Sequence, residues 1–284
     1  METQAFPLDP WEAKMKIDFH THTKLAKKMS FSEKYTVGIL NQAIQAGLDA
    51  ICLTEHYNGT DMDKSFSYIV NTMTPCGDGF IYDGAGENPG IMVFPGLEVN
   101  AAEGGHFLVI GAMENAQAIY KALDPYLQTK KHPSFAALVG IVKQYPVLFG
   151  VSHPYRENSK NNQMPDLPED LLKQLDFIDL NGKDVVYDKT GTETKVYALA
   201  KKLCLPVLAG SDTHQSFQFG CIYNRFSQPL STIEALREAI NKGGYTIEHG
   251  ENAALKVNAA SAIKGLLKEI HALGGDYVSA LFDQ

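Results

Sequence analysis

Cysteine is scarce in this sequence and is never paired at short spacing. The four thiols, Cys52, Cys76, Cys204 and Cys221, include no CxxC pair, which argues against a disulfide framework. Cys52 and Cys204 stand in apolar runs and are expected to be buried as small hydrophobes. No apolar run approaches the roughly 18 residues of a membrane span, so no membrane partner is expected. The first residues, METQAFPLDPWEAK, lack the basic start and apolar stretch of a signal peptide, and the expected location is the cytoplasm. Basic residues are also in deficit: 25 Lys and Arg stand against 33 Asp and Glu, a formal net charge of −8. That balance disfavours a protein that grips long nucleic acid, because such binding rests on cations neutralising phosphates. It leaves room for a small phosphorylated substrate, since a metal cluster adds local positive charge that the formal count omits. No internal repeat and no low-complexity tract interrupts the chain.

What is present is an ordinary globular composition, 44% apolar and 20% charged, over a length at which α/β barrels run undivided. One domain spanning residues 1–284 is therefore expected. Strands are predicted at residues 15–19 (MKIDF), 50–53 (AICL), 91–94 (IMVF), 107–110 (FLVI), 147–151 (VLFGV), 177–180 (FIDL) and 206–209 (PVLA). Helices are predicted at residues 32–46, 133–143, 169–175, 195–203, 232–241 and 259–273. This alternation predicts an α/β fold with parallel strands and helical crossovers, and about seven strands favour a closed, barrel-like sheet. The Gly- and Pro-rich residues 75–90 are read as a long surface loop.

Six of the nine histidines lie at the ends of those strands. After the first comes Asp18-Phe19-His20-Thr21-His22, and alternate residues of an extended segment share a side, so the two imidazoles converge. Thr54-Glu55-His56, Pro95-Gly96-Leu97-Glu98, Ser152-His153-Pro154 and Gly210-Ser211-Asp212-Thr213-His214 each follow a strand. Barrel enzymes carry their chemistry at the C-terminal ends of strands. His106, in Gly104-Gly105-His106, precedes its strand instead; either that strand runs antiparallel or its boundary differs. So many imidazoles and carboxylates buried together without metal would compete for protons and leave charge unpaired. His132, His249 and His271 lack such a context and are read as structural or solvent-facing.

Taken in order, the words HTH, EH, PGLE, GGH, SHP and SDTH resemble the polymerase and histidinol phosphatase (PHP) family from residue 15 to about 215. The resemblance implies a distorted (β/α)7 TIM-like barrel and two to three divalent metal ions, with Zn, Mn or Fe suited to the donors. It implies that His20 and His22 hold a first metal with Glu98 and Asp212. Glu98 would bridge to a second metal on His106 and His153, and His56 and His214 would belong to a third. The family's further His or Asp shortly after HTH is missing; Lys27 and Lys28 occupy that place, which leaves the third set one ligand short. Glu55 is read as supporting a ligand rather than binding metal.

The expected chemistry is phosphomonoester hydrolysis by metal-bound hydroxide, with Glu98 and Asp212 holding the metals. His214 or His56 would act as general acid if the third metal is absent. Arg156 is a candidate phosphate clamp, since guanidinium matches phosphate in a bidentate manner. Lys24, Lys27 and Lys28 are read as a basic patch near the mouth. The alternatives are an exonuclease using the same metals, and a non-catalytic metal-stabilised binding module.

Overall fold

The computed structural model describes residues 14–84, 90–156 and 163–283. The segment read for a signal peptide lies almost wholly outside them. So do residues 85–89, within the expected 75–90 loop, and residues 157–162, beyond Arg156.

The strands are β1 (Met15–Thr21), β2 (Ala50–His56), β3 (Thr74–Cys76), β4 (Gly79–Tyr82), β5 (Ile91–Asn100), β6 (His106–Ile110), β7 (Leu148–Ser152), β8 (Phe177–Asn181), β9 (Val207–Gly210), β10 (Ile222–Phe226) and β11 (Tyr245–His249). The helices are α1 (Glu33–Gln45), α2 (Met62–Thr72), α3 (Met113–Ala122), α4 (Asp124–Thr129), α5 (Phe135–Val142), α6 (Glu169–Leu172), α7 (Gly182–Tyr187), α8 (Lys189–Leu203), α9 (Ile233–Asn241), α10 (Ala253–Ala272) and α11 (Tyr277–Phe282). All seven strands expected from the sequence are present. Residues 75–90 are not simply a loop: β3 and β4 form a hairpin there that adds to β5. The α2, α3, α4, α7 and α11 helices and the β10–β11 hairpin were not anticipated either.

The sheet runs β11-β10-β1-β2-β5-β6-β7-β8-β9, and the last strand returns to the first. Asp212 N donates to the His20 carbonyl at 2.7 Å, and His22 N donates to the Thr213 carbonyl at 2.9 Å. The closed part is thus the expected seven-stranded, TIM-like barrel, with one correction to its direction. β6 runs antiparallel to both β5 and β7, while β1–β2, β2–β5, β7–β8 and β8–β9 are parallel. His106 at the start of β6 therefore shares a rim with the ends of its neighbours.

Near the middle of the seam between β1 and β9, a side chain replaces the ladder. Fully buried Asn224 of β10 accepts from Ala209 N at 2.9 Å and donates to the carbonyls of Ala209 and Ile17 at 2.8 and 3.1 Å. Those groups would otherwise be buried unpaired.

Alternate strand residues build the two cores. Ile17, Cys52, Phe94, Leu108, Phe177 and Leu208 fill the barrel, and Ile233, Leu236 and Ile240 of α9 join that cluster. The opposite strand faces pack against the surrounding helices, for example Ile51, Val93 and Val109 against Ile39 of α1 and Ile119 of α3. Ser32 and Thr232 cap α1 and α9 by accepting from Tyr35 N and Ala235 N. Cys52 is buried as expected, but Cys204 is exposed. It ends α8 in the left-handed conformation, φ 55°, so it points away from the apolar run that precedes it.

Candidate metal centre

The register of the strands brings the motif residues onto one rim. His56 of β2 stands beside Glu98 of β5, and His106 of β6 lies opposite Asn100 on one side and Ser152 on the other. His153 and Asp212 follow their strands with φ of 29° and 55°. A left-handed backbone is strained for non-glycine residues; here His153 reaches Glu98, and Asp212 reaches His20 and His22. Gly210 has no room for a Cβ, which would collide with His20.

Glu98 is the hub, and its two oxygens face different partners. Oε1 lies 2.6 Å from His106 Nδ1, 3.2 Å from His153 Nε2 and 3.6 Å from His20 Nε2. Oε2 lies 2.9 Å from His56 Nδ1 and 3.4 Å from His22 Nε2. Asp212 is divided in the same way: Oδ1 is 3.6 Å from His20, 3.4 Å from His22 and 3.5 Å from His214, while Oδ2 receives Arg156. All eight residues expected to bind metal are thus gathered in one cluster.

Neighbouring groups fix the imidazoles. His20 directs Nδ1 toward Asp179, at 3.5 Å, and His22 directs Nδ1 toward Glu55, at 3.6 Å. Both rings then aim Nε2 at the centre, where the two nitrogens come within 3.2 Å. A carboxylate behind each histidine is the usual support for a metal-binding imidazole. Glu55 also accepts from Thr23 N at 2.6 Å and from Thr23 Oγ1 at 2.9 Å, in keeping with the supporting role read for it. His214 Nδ1 lies 2.8 Å from the Lys24 carbonyl. A carbonyl can only accept, so Nδ1 carries the proton and Nε2 presents a lone pair.

The electrostatics follow from burial and crowding. Burial alone would raise the Glu98 carboxyl, yet His56, His106 and His20 hold it well below the ordinary range. Burial would likewise raise Asp212, but Arg156 and His20 hold it far down. His153 is drawn down to about 3, by burial and then by Arg156. Burial, followed by the charge of Lys264, pulls His214 well below its usual value. His20 is raised despite its burial, by Glu98 and Asp212.

The donors fit divalent metal. His22, His56 and His214 each offer an atom within 4.8 Å of the others, as do His20, His22 and Glu98, and His56, Glu98 and His106. His56 Nδ1 and Glu98 Oε2 are buried without a hydrogen-bond partner, a costly state that a cation between them would relieve. His22 makes a trio with His56 and His214, which supplies a donor the sequence did not assign there.

Other expectations are revised. Arg156 is buried, and its guanidinium donates to Asp184 at 3.0 Å, to Asn181 at 2.7 Å and to Asp212. It is tied to protein carboxylates instead of standing free as a phosphate clamp. Lys24 is buried, donates to the Thr60 carbonyl at 2.9 Å and lies 3.8 Å from Glu55; it belongs to no open patch. Lys27 is partly buried and feels the charge of Glu98, whereas Lys28 is exposed. Among the three histidines set aside, His249 pairs with Glu193 at 3.1 Å, His271 packs on Tyr277, and His132 bonds the Tyr57 hydroxyl at 2.8 Å. Sequence reasoning passed over Asp18, Asp179 and Asp184. A lone aspartate inside an apolar strand, as in MKIDF and FIDL, is the signal that marks the first two.

A family model described as PHP-associated matches residues 193–245, which carry Asp212 and His214. A protein of Thermoanaerobacter sp. strain X514 named probable phosphatase is 24% identical over 234 residues, covering 78% of this chain and 86% of its own. The crystal structure of PsfC from Pseudomonas syringae PB-5123 superposes with a TM-score of 0.68 at 21% identity, over 90% of this chain and 99% of that one. The lesion-specific endonuclease PfuEndoQ from Pyrococcus furiosus gives 0.53 at 18% identity, over 82% of this chain and 57% of that one. The resemblance read from the motif series is borne out. The expected enzyme class, a metal-dependent phosphoric ester hydrolase, agrees with the phosphatase and endonuclease named here. Among the described residues, no helix is long and apolar enough to cross a membrane.

Proposed function

From a PHP-type barrel with this rim, we propose a phosphatase of small phosphomonoesters, built as one catalytic domain. The observation that carries the reading is the division of Glu98, whose Oε1 faces His106, His153 and, further off, His20, while Oε2 faces His22 and His56. A carboxylate with a separate set of imidazoles at each oxygen suits a bridge between two metals. His20, His22 and Asp212 would complete the first site and His106 and His153 the second. His56 and His214, with His22 nearby, would serve a third. Zn, Mn and Fe all suit such imidazole and carboxylate donors.

When bound, the metals would lower the pKa of water toward about 7 and neutralise phosphoryl charge. The protein's own part is orientation. Asp179 and Glu55 hold the rings of His20 and His22, and the Lys24 carbonyl holds His214 as a neutral donor. That tautomer favours His214 as a ligand over a general acid. Arg156 keeps Oδ2 of Asp212 engaged so that Oδ1 stays toward His20 and His22. Lys27 adds positive charge on the Glu98 side, which suits an anionic substrate. The net charge of −8 favours a small ester over long nucleic acid, although a lesion-specific endonuclease shares the fold.

Metal analysis combined with a phosphate-release screen over mono- and diesters tests this. Release from monoesters by the metal-loaded protein is expected. Cleavage confined to nucleic-acid diesters would replace the phosphatase with a nuclease, and full metal without turnover would point to a binding module.

A further inference from the structure

A small polar cleft adjoins the metal centre and takes no part in holding metal. The turn after β7 connects the two. Arg156 N donates to the His153 carbonyl at 3.1 Å, so the turn that carries His153 also carries Tyr155 and Arg156. α7 ends and α8 begins on either side of Asp188, which caps α8 by accepting from Gly191 N at 3.0 Å. Thr192 Oγ1 donates to the Asp184 carbonyl at 3.3 Å and ties the two helices together. The cleft measures about 110 Å³, and Tyr155 and Arg156 line it from the turn, Asp184 and Tyr187 from α7. Asp188, Thr192 and Lys195 line it from the start of α8. Tyr187 leaves 55% of its surface exposed, so the cleft opens to solvent beside that ring.

One guanidinium separates the cleft from the centre. Arg156 donates through Nη1 to Asp212 and through Nε to Asp184, the latter at 3.0 Å. The side chains of Asp212, Arg156 and Asp184 are 10%, 8% and 12% exposed, so solvent touches each member of this strip. A phosphate ester held at the metals would extend its alcohol part over Arg156 into the cleft. The lining there mixes donors and acceptors. The hydroxyls of Tyr155, Tyr187 and Thr192 can do either, and two carboxylates, Asp184 and Asp188, stand with two cations, Arg156 and Lys195. A cleft of mixed sign focuses neither anions nor cations, which suits a neutral group rich in hydroxyls. Its volume is well below the roughly 300 Å³ at which pockets for drug-sized ligands begin, which suits a short chain over a nucleoside. We propose that this cleft binds the alcohol part of the phosphomonoester, and that this part is a short polyhydroxylated carbon chain. The proposal rests on the phosphatase reading and names its substrate class.

The test is calorimetric titration of two phosphonates into the full chain, metal-loaded. One is butylphosphonate; the other is dihydroxybutylphosphonate, with hydroxyls on its last two carbons. Carbon replaces the ester oxygen in both, so neither is hydrolysed, and they differ only in the hydroxyls. Wild type should bind the dihydroxy compound about tenfold or more tightly, because a site built to pair hydroxyls is left unpaired by the analogue lacking them. Tyr187→Ala and Thr192→Val should each shrink that preference by about threefold or more. Metal content should be equal in all three proteins. Equal affinity of wild type for the two compounds, or binding of neither, would overturn the proposal, and so would a preference undiminished in both variants. Phosphate release from glycerol phosphate and propyl phosphate by wild type separates the two readings. Equal release from both esters would reject the cleft and keep the phosphatase. Preferential binding of the dihydroxy compound by a protein that hydrolyses neither ester would keep the cleft and reject the catalytic reading.

Discussion

His106 Nδ1 lies 2.6 Å from Glu98 Oε1 across two strands that run in opposite directions. Glu98 is level with Leu108, and His106 with Asn100, so the two are diagonal neighbours on one face, within reach for long side chains. The reversal of β6 makes the contact. Were β6 parallel, His106 would sit at the far end of the barrel.

Glu98→Gln tests the hub. The amide keeps the shape but loses the charge to which five imidazoles are drawn. Bound metal should fall, and turnover should drop by about 100-fold or more. Metal analysis and initial rates measure both, and a variant with full metal and full activity would reject the bridging assignment.

Arg156 offers a sharper choice. If it holds Asp212, Arg156→Ala should weaken metal binding about 10- to 100-fold and lower kcat with little change in KM. If it clamps substrate phosphate, KM should rise while metal affinity stays the same. The contacts to Asp212, Asp184 and Asn181 favour the first outcome.

The rim was legible because five of the six motif words follow an apolar strand. His106, standing before its strand, left either an antiparallel strand or a different boundary open, and β6 is antiparallel to both neighbours. The clamp role of Arg156 was not decidable from spacing, since a guanidinium fits carboxylate as well as phosphate. β10 was hidden by its own seam residue: Ile222, Asn224 and Phe226 alternate inward, and a buried Asn breaks the apolar pattern. α2 begins at Asp61 in the left-handed conformation with no side-chain cap, so no start signal marked it.

Asn224→Leu should open the seam. The substitution leaves the Ala209 amide and the carbonyls of Ala209 and Ile17 without that partner in a buried place. A loss of about 3 kcal/mol is expected, read as a lower urea midpoint with an unchanged slope. A loss below about 1 kcal/mol would mean that water or strand movement satisfies these groups.

Glu55 predicts a pH dependence. Burial would raise its carboxyl, but the His22 contact, the Lys24 charge and the Thr23 amide outweigh it and bring the pKa down to about 2, from 4.5. The folded pKa is depressed, so the stabilisation is fully present above about 4.5 and is lost as the pH falls toward 2. The shift corresponds to about 3 kcal/mol. Gln at this position keeps an oxygen for Thr23 but loses the charge opposite His22 and Lys24. Urea unfolding of the metal-free protein, in which no metal competes with protons for His22, should show wild type more stable than Glu55→Gln at neutral pH. The gap should narrow steadily as the buffer is acidified through the carboxylate range. A gap that stays constant across that range would mean that Glu55 acts through shape and hydrogen bonding alone, and its charge would then have no part in holding His22 toward the metals.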